Sequence, residues 1–267
     1  MTATEVGPLA GFSCSTFTHG TATREVFRSG SGPGVIIIHE LPGITPAVAD
    51  FARRVVDAGF TVLVPSLVGT PGKPVSLGYT MKSVTQVCIS REFSTWAMNS
   101  TSPIIEWLRA LARALHAEVG GPGVGAVGMC FSGGFALAMA VEEAMVAPVC
   151  SQPSLPFAIG WARTRDIGLS PTDLELVRER TVAGQCVLAL RFTNDRMVPA
   201  VRFQRLRDEL GDRFTAVEID SSPGNPHGIR KIAHSVLTEE FADRPGHPTR
   251  DAFDRVVAFF TERLASG

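Results

Sequence analysis

Short runs of apolar residues alternate along the chain with longer segments whose apolar residues recur at helical spacing. This alternation is typical of βαβ units, in which crossover helices join parallel strands. The apolar runs predict strands over residues 35–39, 61–65, 124–128, 145–149, 186–192 and 214–220. The pattern therefore predicts an α/β architecture, with a mostly parallel central sheet flanked by helices on both faces.

Four helices have clear start or stop signals in the sequence. They are predicted over residues 47–58, 103–119, 171–182 and about 249–264. Pro103 and Pro171 each follow a serine, and serine followed by proline is a common helix start. Because strands and helices alternate to the end of the chain, we expect a single domain over residues 1–267, with roughly the first 20–30 residues as a candidate N-terminal extension.

Composition narrows the classes of partner. Hydrophobic residues make up 45% of the chain and charged residues 19%, which suffices for a sizeable core. The net charge is −1, and no Lys/Arg cluster is interleaved with aromatics, so no nucleic-acid partner is expected. There is no apolar run of membrane-spanning length and no signal-peptide pattern near the N-terminus. We expect a cytoplasmic monomer or homodimer without a membrane partner.

The five cysteines are scattered at positions 14, 88, 130, 150 and 186. Their odd number argues against a disulfide framework, and they lack the close paired spacing of a zinc site. No metal and no other cofactor is therefore expected.

The segment Gly128-Met-Cys-Phe-Ser-Gly-Gly134 joins a buried strand to a helix of small residues. A sharp strand–turn–helix junction of this kind exposes a nucleophile and needs small residues two positions before and after it, here Gly128 and Ser132. The helix N-terminus favours a thiolate at Cys130 and supplies N–H groups for an oxyanion. We predict Cys130 as the nucleophile. Two alternatives stay open: Cys130 as a buried structural residue, and Ser132 as the nucleophile.

An acid and a histidine should follow the nucleophile, each just beyond the end of a later strand, because all three groups must meet at one sheet edge. Asp195 follows the strand over residues 186–192 and is the best acid, although turns also favour aspartate. His227 and His234 both follow the strand that ends at position 220, and their positions alone do not separate them.

These residues, together with the early segment His39-Glu-Leu-Pro-Gly43, resemble the dienelactone hydrolase family of α/β-hydrolases from about residue 35 to residue 264. The resemblance implies that His234 is the catalytic histidine. It also implies that Glu40 hydrogen-bonds the resting thiol, and that the backbone N–H groups of Leu41 and Phe131 form an oxyanion hole.

The chain departs from that family in two places. Thr238 stands four residues after the histidine, where the diene-lactone enzymes carry arginine, so the resemblance does not extend to dienelactone as the substrate. Arg91 is a candidate to supply a positive charge for substrate binding from another loop. The chain between nucleophile and acid is also longer than in short family members, and residues 151–157 with Trp161 are a candidate pocket wall or packing segment.

The function expected from this pattern is hydrolysis of a small ester or lactone through a Cys–His–Asp triad and an acyl-thioester intermediate. A non-catalytic ligand-binding or sensor protein of the same fold is the alternative, because a fold does not determine function. A thiol redox enzyme is a third class, for which Cys150 is the only plausible resolving cysteine.

Overall fold

The computed structural model describes residues 2–3, 7–89, 102–158 and 160–265, and within these residues the strands form one sheet. The strands are β1 (Thr2–Ala3), β2 (Ser13–His19), β3 (Ala22–Ser29), β4 (Gly34–Ile38), β5 (Thr61–Pro65), β6 (Val124–Met129), β7 (Met145–Ser151), β8 (Val187–Phe192) and β9 (Phe214–Ile219). Their spatial order is β1-β2-β3-β5-β4-β6-β7-β8-β9.

The six strands from β4 to β9 are those that the apolar runs predicted, and each observed boundary lies within two residues of the prediction. All neighbours among these six are parallel. The carboxyl ends of the six strands therefore meet at one edge of the sheet, which is where α/β proteins place their sites. The predicted fold class is confirmed.

The described helices are α1 (Pro46–Asp57), α2 (Leu77–Ile89), α3 (Pro103–Val119), α4 (Gly133–Met139), α5 (Trp161–Arg165), α6 (Pro171–Val182), α7 (Ala200–Leu210) and α8 (Pro248–Leu264). The four predicted helices are α1, α3, α6 and α8. Ser170 caps α6 by accepting a hydrogen bond from the Asp173 N–H at 3.0 Å. Ser102 precedes α3 as predicted, but its hydroxyl does not accept a capping hydrogen bond.

Two apolar cores lie on opposite faces of the sheet. One joins the sheet to α3, α4, α6 and α7, and its largest side chain is Trp107. The other joins the sheet to α1 and α8, where Phe253, Val256 and Phe260 form the predicted apolar stripe. Val257, which was predicted in the same stripe, is only partly buried. Helices thus cover both faces, which explains why the parallel strands are apolar throughout.

The hairpin of β2 and β3 was not predicted from the sequence. It pairs antiparallel with β5 and extends the sheet at that edge. Several of its side chains face solvent, so the segment lacks the continuous apolar run that marks the central strands. Residues 13–29 are consequently part of the sheet.

No helix in the described ranges combines the length and the apolar character needed to cross a bilayer.

Arg109 is a buried cation that ties three helices together. Its guanidinium on α3 donates to the Ala138 carbonyl on α4 at 2.7 Å and contacts Asp173 on α6 at 3.2 Å. Its side chain is 9% exposed, whereas that of Arg113, one turn further along α3, is 48% exposed and pairs with Glu142. The two arginines therefore allow a matched comparison on one helix.

We expect Arg109→Met to lower the free energy of unfolding by about 3 kcal/mol, because it removes charge-assisted hydrogen bonds from buried acceptors. Arg113→Met should cost only about 0.5 kcal/mol, because exposed ion pairs contribute little. Urea unfolding followed by circular dichroism measures both. Equal losses of unfolding free energy in the two variants would show that Arg109 does not stabilise the packing of the three helices.

Candidate active site

Cys130 lies at the sharp turn between β6 and α4, as the sequence predicted. Its backbone φ is +56°, in the left-handed region that is strained for a residue with a side chain, and the residue is 8% exposed. A Cβ atom at Gly128 would lie 2.1 Å from the Ser132 carbonyl oxygen, so glycine is required there. This geometry holds the thiol at the carboxyl edge of the sheet, at the start of a helix.

Ser132 is held in a structural role. Its hydroxyl accepts a hydrogen bond from the Met129 N–H at 3.0 Å. The same oxygen lies 2.9 Å from the Ile38 carbonyl and 3.0 Å from the His39 carbonyl, to which it can donate. The side chain is fully buried. This hydroxyl therefore joins the turn to the end of β4.

Asp195 and His234 form a close pair. Asp195 follows β8 and is buried, and His234 lies in the long loop after β9. The His234 Nδ1–H donates to Asp195 Oδ2 at 2.6 Å. Its Nε2 is buried without a hydrogen-bond partner in the described part of the chain. That nitrogen is consequently free to exchange a proton with another group.

The ionisation of His234 depends on both of its neighbours. Burial of the ring opposes a positive charge, but Asp195 and the nearby Cys130 sulfur favour it more strongly, and together they raise the pKa of His234 above its ordinary value. The ring is therefore able to keep a proton that it takes from Cys130.

His227, the alternative histidine, lies elsewhere. Its ring packs edge-on against His247 with the ring centroids 5.6 Å apart. Its backbone N–H donates to the Asn225 side chain at 3.2 Å within the same loop. The structure thus pairs His234, and not His227, with Asp195.

The hydrogen bonds of Glu40 differ from the expectation. The resemblance placed its carboxylate on the resting thiol, but in the described residues Glu40 Oε2 accepts from Ser235 Oγ at 2.6 Å and Oε1 accepts from the Thr238 hydroxyl. Glu40 follows β4 and is 3% exposed. The two hydroxyls come from the loop that carries His234. They satisfy the buried carboxylate, so it is not directed at the sulfur of Cys130.

Gln152 completes this polar network and was not found by sequence reasoning. Its side-chain amide donates to Glu40 Oε2 at 3.4 Å, and its carbonyl oxygen accepts from the Val236 N–H at 3.4 Å. Its φ is +34°, unusual for a residue other than glycine, and its side chain is fully buried. No local pattern marks it, because both partners are far away in the sequence.

The two residues expected to supply oxyanion N–H groups come from different segments of the chain. Phe131 directly follows Cys130 in the turn, and its ring packs against Phe135 and His39. Leu41 follows Glu40 after β4 and is partly buried. Their roles in catalysis stay predictions. Arg91, the candidate substrate-binding cation, lies outside the described residues.

Most of the segment that follows β7 packs under the site. Residues 151–156 are buried, and Ser154 Oγ lies 3.5 Å from Cys130 Sγ. Phe157 and Trp161, at the far end, are 39% and 81% exposed. The additional chain therefore contributes a polar contact to Cys130, and the side chains of Phe157 and Trp161 lie at the surface.

Cys150 is a buried residue of β7. Burial raises the pKa of its thiol to about 12, despite an opposing hydrogen bond involving Leu137. Cys130 and Cys150 are both free thiols. A resolving cysteine has to ionise and reach its partner, and full burial on a central strand disfavours both.

A cavity of about 440 Å³ lies beside the Asp195–His234 pair. It is lined by Asn194, Asp195, Arg196, Met197, Lys231, Ile232 and His234. Cavities of this size are typical of small-molecule sites. In the described ranges, no three His, Cys, Asp or Glu side chains form a group that could hold a metal ion.

The model of a known protein family matches most of this chain. The family model described as "Dienelactone hydrolase family" matches residues 22–264. The chain belongs to the dienelactone hydrolase family. This match includes Cys130, Asp195 and His234 and begins within the hairpin that the sequence pattern did not predict.

Solved structures show the same fold. A dienelactone hydrolase-like promiscuous phosphotriesterase, P91, from metagenomic libraries superposes with a TM-score of 0.64 at 18% identity, over 95% of this chain and 98% of that one. A dienelactone hydrolase from Anabaena variabilis gives 0.60 at 16% identity, over 95% and 98%.

One curated relative was also found. YghX of Escherichia coli (strain K12), named a hydrolase fragment, is 44% identical over 57 residues, which are 20% of this chain and 49% of YghX. The match thus spans about half the length of that relative.

His39, from the segment that carried the family resemblance, has a buried ring that hydrogen-bonds two backbone segments. Its Nδ1–H donates to the Glu40 carbonyl at 2.8 Å, and its Nε2 accepts from the Leu67 N–H at 3.0 Å. Burial lowers the pKa of His39 to about 4, with a smaller contribution from Arg24, although the bond to the Glu40 carbonyl opposes the shift. The ring therefore stays neutral in the folded protein at neutral pH.

This neutral ring should make the folded protein sensitive to acid. Between the unfolded pKa of 6.5 and the folded pKa of about 4, the unfolded chain binds the proton more readily, so stability falls as pH falls through this window. From about pH 7 to about pH 4.5, His39 should account for a loss of about 2 kcal/mol. The variant His39→Gln keeps an acceptor and a donor but does not titrate. Over the same pH range, its free energy of unfolding should fall by about 2 kcal/mol less than that of the wild type.

Urea unfolding of both proteins at the two pH values tests this expectation. The other titrating groups are common to both proteins and cancel in the comparison. Parallel losses in wild type and variant would contradict a buried neutral His39.

Proposed function

We propose that this member of the dienelactone hydrolase family is a hydrolase that cleaves a small ester or lactone, with Cys130, His234 and Asp195 as its catalytic triad. The observation that supports the proposal best is the pairing of Asp195 with His234 at 2.6 Å while His234 Nε2 is left without a partner in the described residues. A histidine oriented by a carboxylate and free at its second nitrogen is suited to accept the proton of a nucleophile.

The reaction proceeds in two stages. His234 Nε2 takes the Cys130 proton, and the thiolate attacks the carbonyl carbon of the substrate. The imidazolium then gives its proton to the departing oxygen, and an acyl-thioester remains. Water, deprotonated by His234, attacks the thioester, releases the acid and regenerates the thiol. The backbone N–H groups of Phe131 and Leu41 hold the oxyanion in both stages.

The surroundings of the triad support a small substrate with an apolar part. The cavity of about 440 Å³ beside His234 combines the apolar side chains Met197 and Ile232 with the cations Arg196 and Lys231. An ester or lactone of modest size fits such a volume. A redox function is less well supported, because Cys150 is buried within the sheet.

Cys130→Ala should abolish turnover of p-nitrophenyl acetate and of a panel of small lactones, with a fall in kcat/KM of about a thousandfold or more. Asp195→Asn should leave binding intact and lower kcat about a hundredfold or more, because the ring loses its orienting carboxylate. Intact mass spectrometry of the wild-type protein mixed rapidly with p-nitrophenyl acetate should detect one acetyl group, and peptide mapping should place it on Cys130.

Cys186→Ala is the matched control, since this cysteine precedes β8 at the opposite edge of the sheet. It should hydrolyse the ester at the wild-type rate. Ser132→Ala requires a parallel unfolding measurement, because its hydroxyl supports the turn. Full activity in Cys130→Ala would refute the proposed nucleophile, and an unmodified wild-type protein that turns over no substrate in the panel would refute the proposed reaction class.

A further inference from the structure

Ser154, in the segment after β7, contacts Cys130 in two ways. Its backbone N–H donates to the Cys130 carbonyl at 3.0 Å, and its hydroxyl lies 3.5 Å from the Cys130 sulfur. The residue is 1% exposed. Within the described residues the hydroxyl has no other hydrogen-bond partner. Ser154 is therefore fixed to the backbone of Cys130 and directs its side chain at the reacting atom.

The direction of this hydrogen bond depends on the charge of the sulfur. A thiol is a weak donor and a weak acceptor, so the contact contributes little while Cys130 is protonated. A thiolate can only accept, and hydrogen bonds to charged groups are about twice as strong as neutral ones. The hydroxyl consequently stabilises the thiolate more than the thiol.

Arg202 of α7 holds the segment that carries Ser154. Its guanidinium donates to the carbonyl oxygens of Pro153, at 2.7 Å, and of Pro156. These two carbonyls flank Ser154 along the chain. Arg202 is 1% exposed, and burial lowers its pKa to about 10, against the attraction of Asp166 and Asp195, so the side chain stays charged at neutral pH. A buried cation with carbonyl acceptors on both sides restricts the position of the serine.

The segment also packs directly against the turn. A Cβ atom at Gly133 would lie 2.5 Å from the Cα of Pro153, so backbone meets backbone at this point. Neither element can move toward or away from the other without disturbing the contact between Ser154 and Cys130. This packing therefore holds the Ser154 hydroxyl close to the Cys130 sulfur.

We propose that Ser154 is a further catalytic residue, which donates a hydrogen bond to the Cys130 thiolate, and that Arg202 is the positioning residue that holds it there. The proposal rests on the proposed function, because it assumes that Cys130 reacts as a thiolate. The hydroxyl acts at two points. It favours the thiolate before attack, and it stabilises the same sulfur when the thioester breaks and the sulfur departs with the bonding electron pair.

Other groups around the sulfur also affect its ionisation. His234 and, behind it, Asp195 approach from the loops after β9 and β8, Glu40 lies at the end of β4, and Arg202 lies beyond the Ser154 segment. Ser154→Ala leaves all four charges unchanged. The variant therefore isolates the contribution of the hydroxyl.

The rate of alkylation of Cys130 by iodoacetamide, measured against pH, tests the proposal without any substrate turnover. Peptide mapping by mass spectrometry separates Cys130 from the other cysteines. At about pH 7, Ser154→Ala should be alkylated about tenfold more slowly than wild type, because less of its Cys130 is present as thiolate. At high pH, where the sulfur is fully ionised, the two rates should converge.

Conservative and control variants separate chemistry from damage to the fold. Ser154→Thr, which keeps a hydroxyl, should recover most of the wild-type pH profile. The control is Ser29→Ala on β3, which removes a hydroxyl that donates to the Gly11 carbonyl. Its pH profile should match that of the wild type. Arg202→Met should shift the profile in the same direction by about threefold in rate at about pH 7, whereas Arg205→Met on the same helix should not. If Arg202→Met does not fold, Arg202→Lys takes its place.

The outcomes distinguish the two proposals. An unchanged pH profile in Ser154→Ala, with Cys130 still reactive, overturns the role of Ser154 and leaves the proposed hydrolase intact. A loss of rate that is uniform at all pH values also overturns it, because that result indicates altered access to the sulfur. If Cys130 of the wild-type protein fails to react at any pH, the proposed nucleophile itself is refuted.

Discussion

The close approach of backbones at the turn after β6 is the constraint on which the site depends. Gly128 and Ser132 come so near that no side chain fits at position 128, and Gly133 meets Pro153 in the same way. This compactness forces Cys130 into the left-handed region of backbone conformation, at a cost of order 1–3 kcal/mol. The cost is offset by fixed contacts on both sides of the turn. The backbone at Cys130, the proposed nucleophile, is therefore held in one conformation.

Buried polar groups join the elements that carry the site. The Glu40 carboxylate accepts hydrogen bonds from Ser235, Thr238 and Gln152, which come from the loop after β9 and from the end of β7. Burial of a carboxylate without such partners would cost several kcal/mol. The hydrogen bonds from Ser235 and Thr238 therefore stabilise the position of the loop that carries His234. The hydroxyl of Ser132 serves the same purpose between β6 and β4. The hydrogen bonds of these buried polar groups thus help to align the loops that carry the proposed triad.

The sequence predicted those parts that depend on local pattern. Parallel strands buried on both faces give continuous apolar runs, and helices with proline near their start give clear boundaries, so six strands and four helices were found. The hairpin over residues 13–29 was missed because its side chains are partly exposed. The contacts of Ser154, Gln152 and Arg202 were missed for another reason, although residues 151–157 were a candidate pocket wall. Their partners lie 24 to 112 residues away along the chain, and no local spacing encodes those contacts.

The hydrogen bonds of Glu40 illustrate how the partners of a buried carboxylate depend on the residues of a neighbouring loop. The family resemblance implied a carboxylate on the resting thiol, together with an arginine where this chain has Thr238. With a hydroxyl at that position, and another at Ser235, both carboxylate oxygens find donors in the histidine loop. The sulfur of Cys130 has instead the Ser154 hydroxyl at 3.5 Å. The identity of residue 238 thereby helps to determine which donors the Glu40 carboxylate finds within this fold.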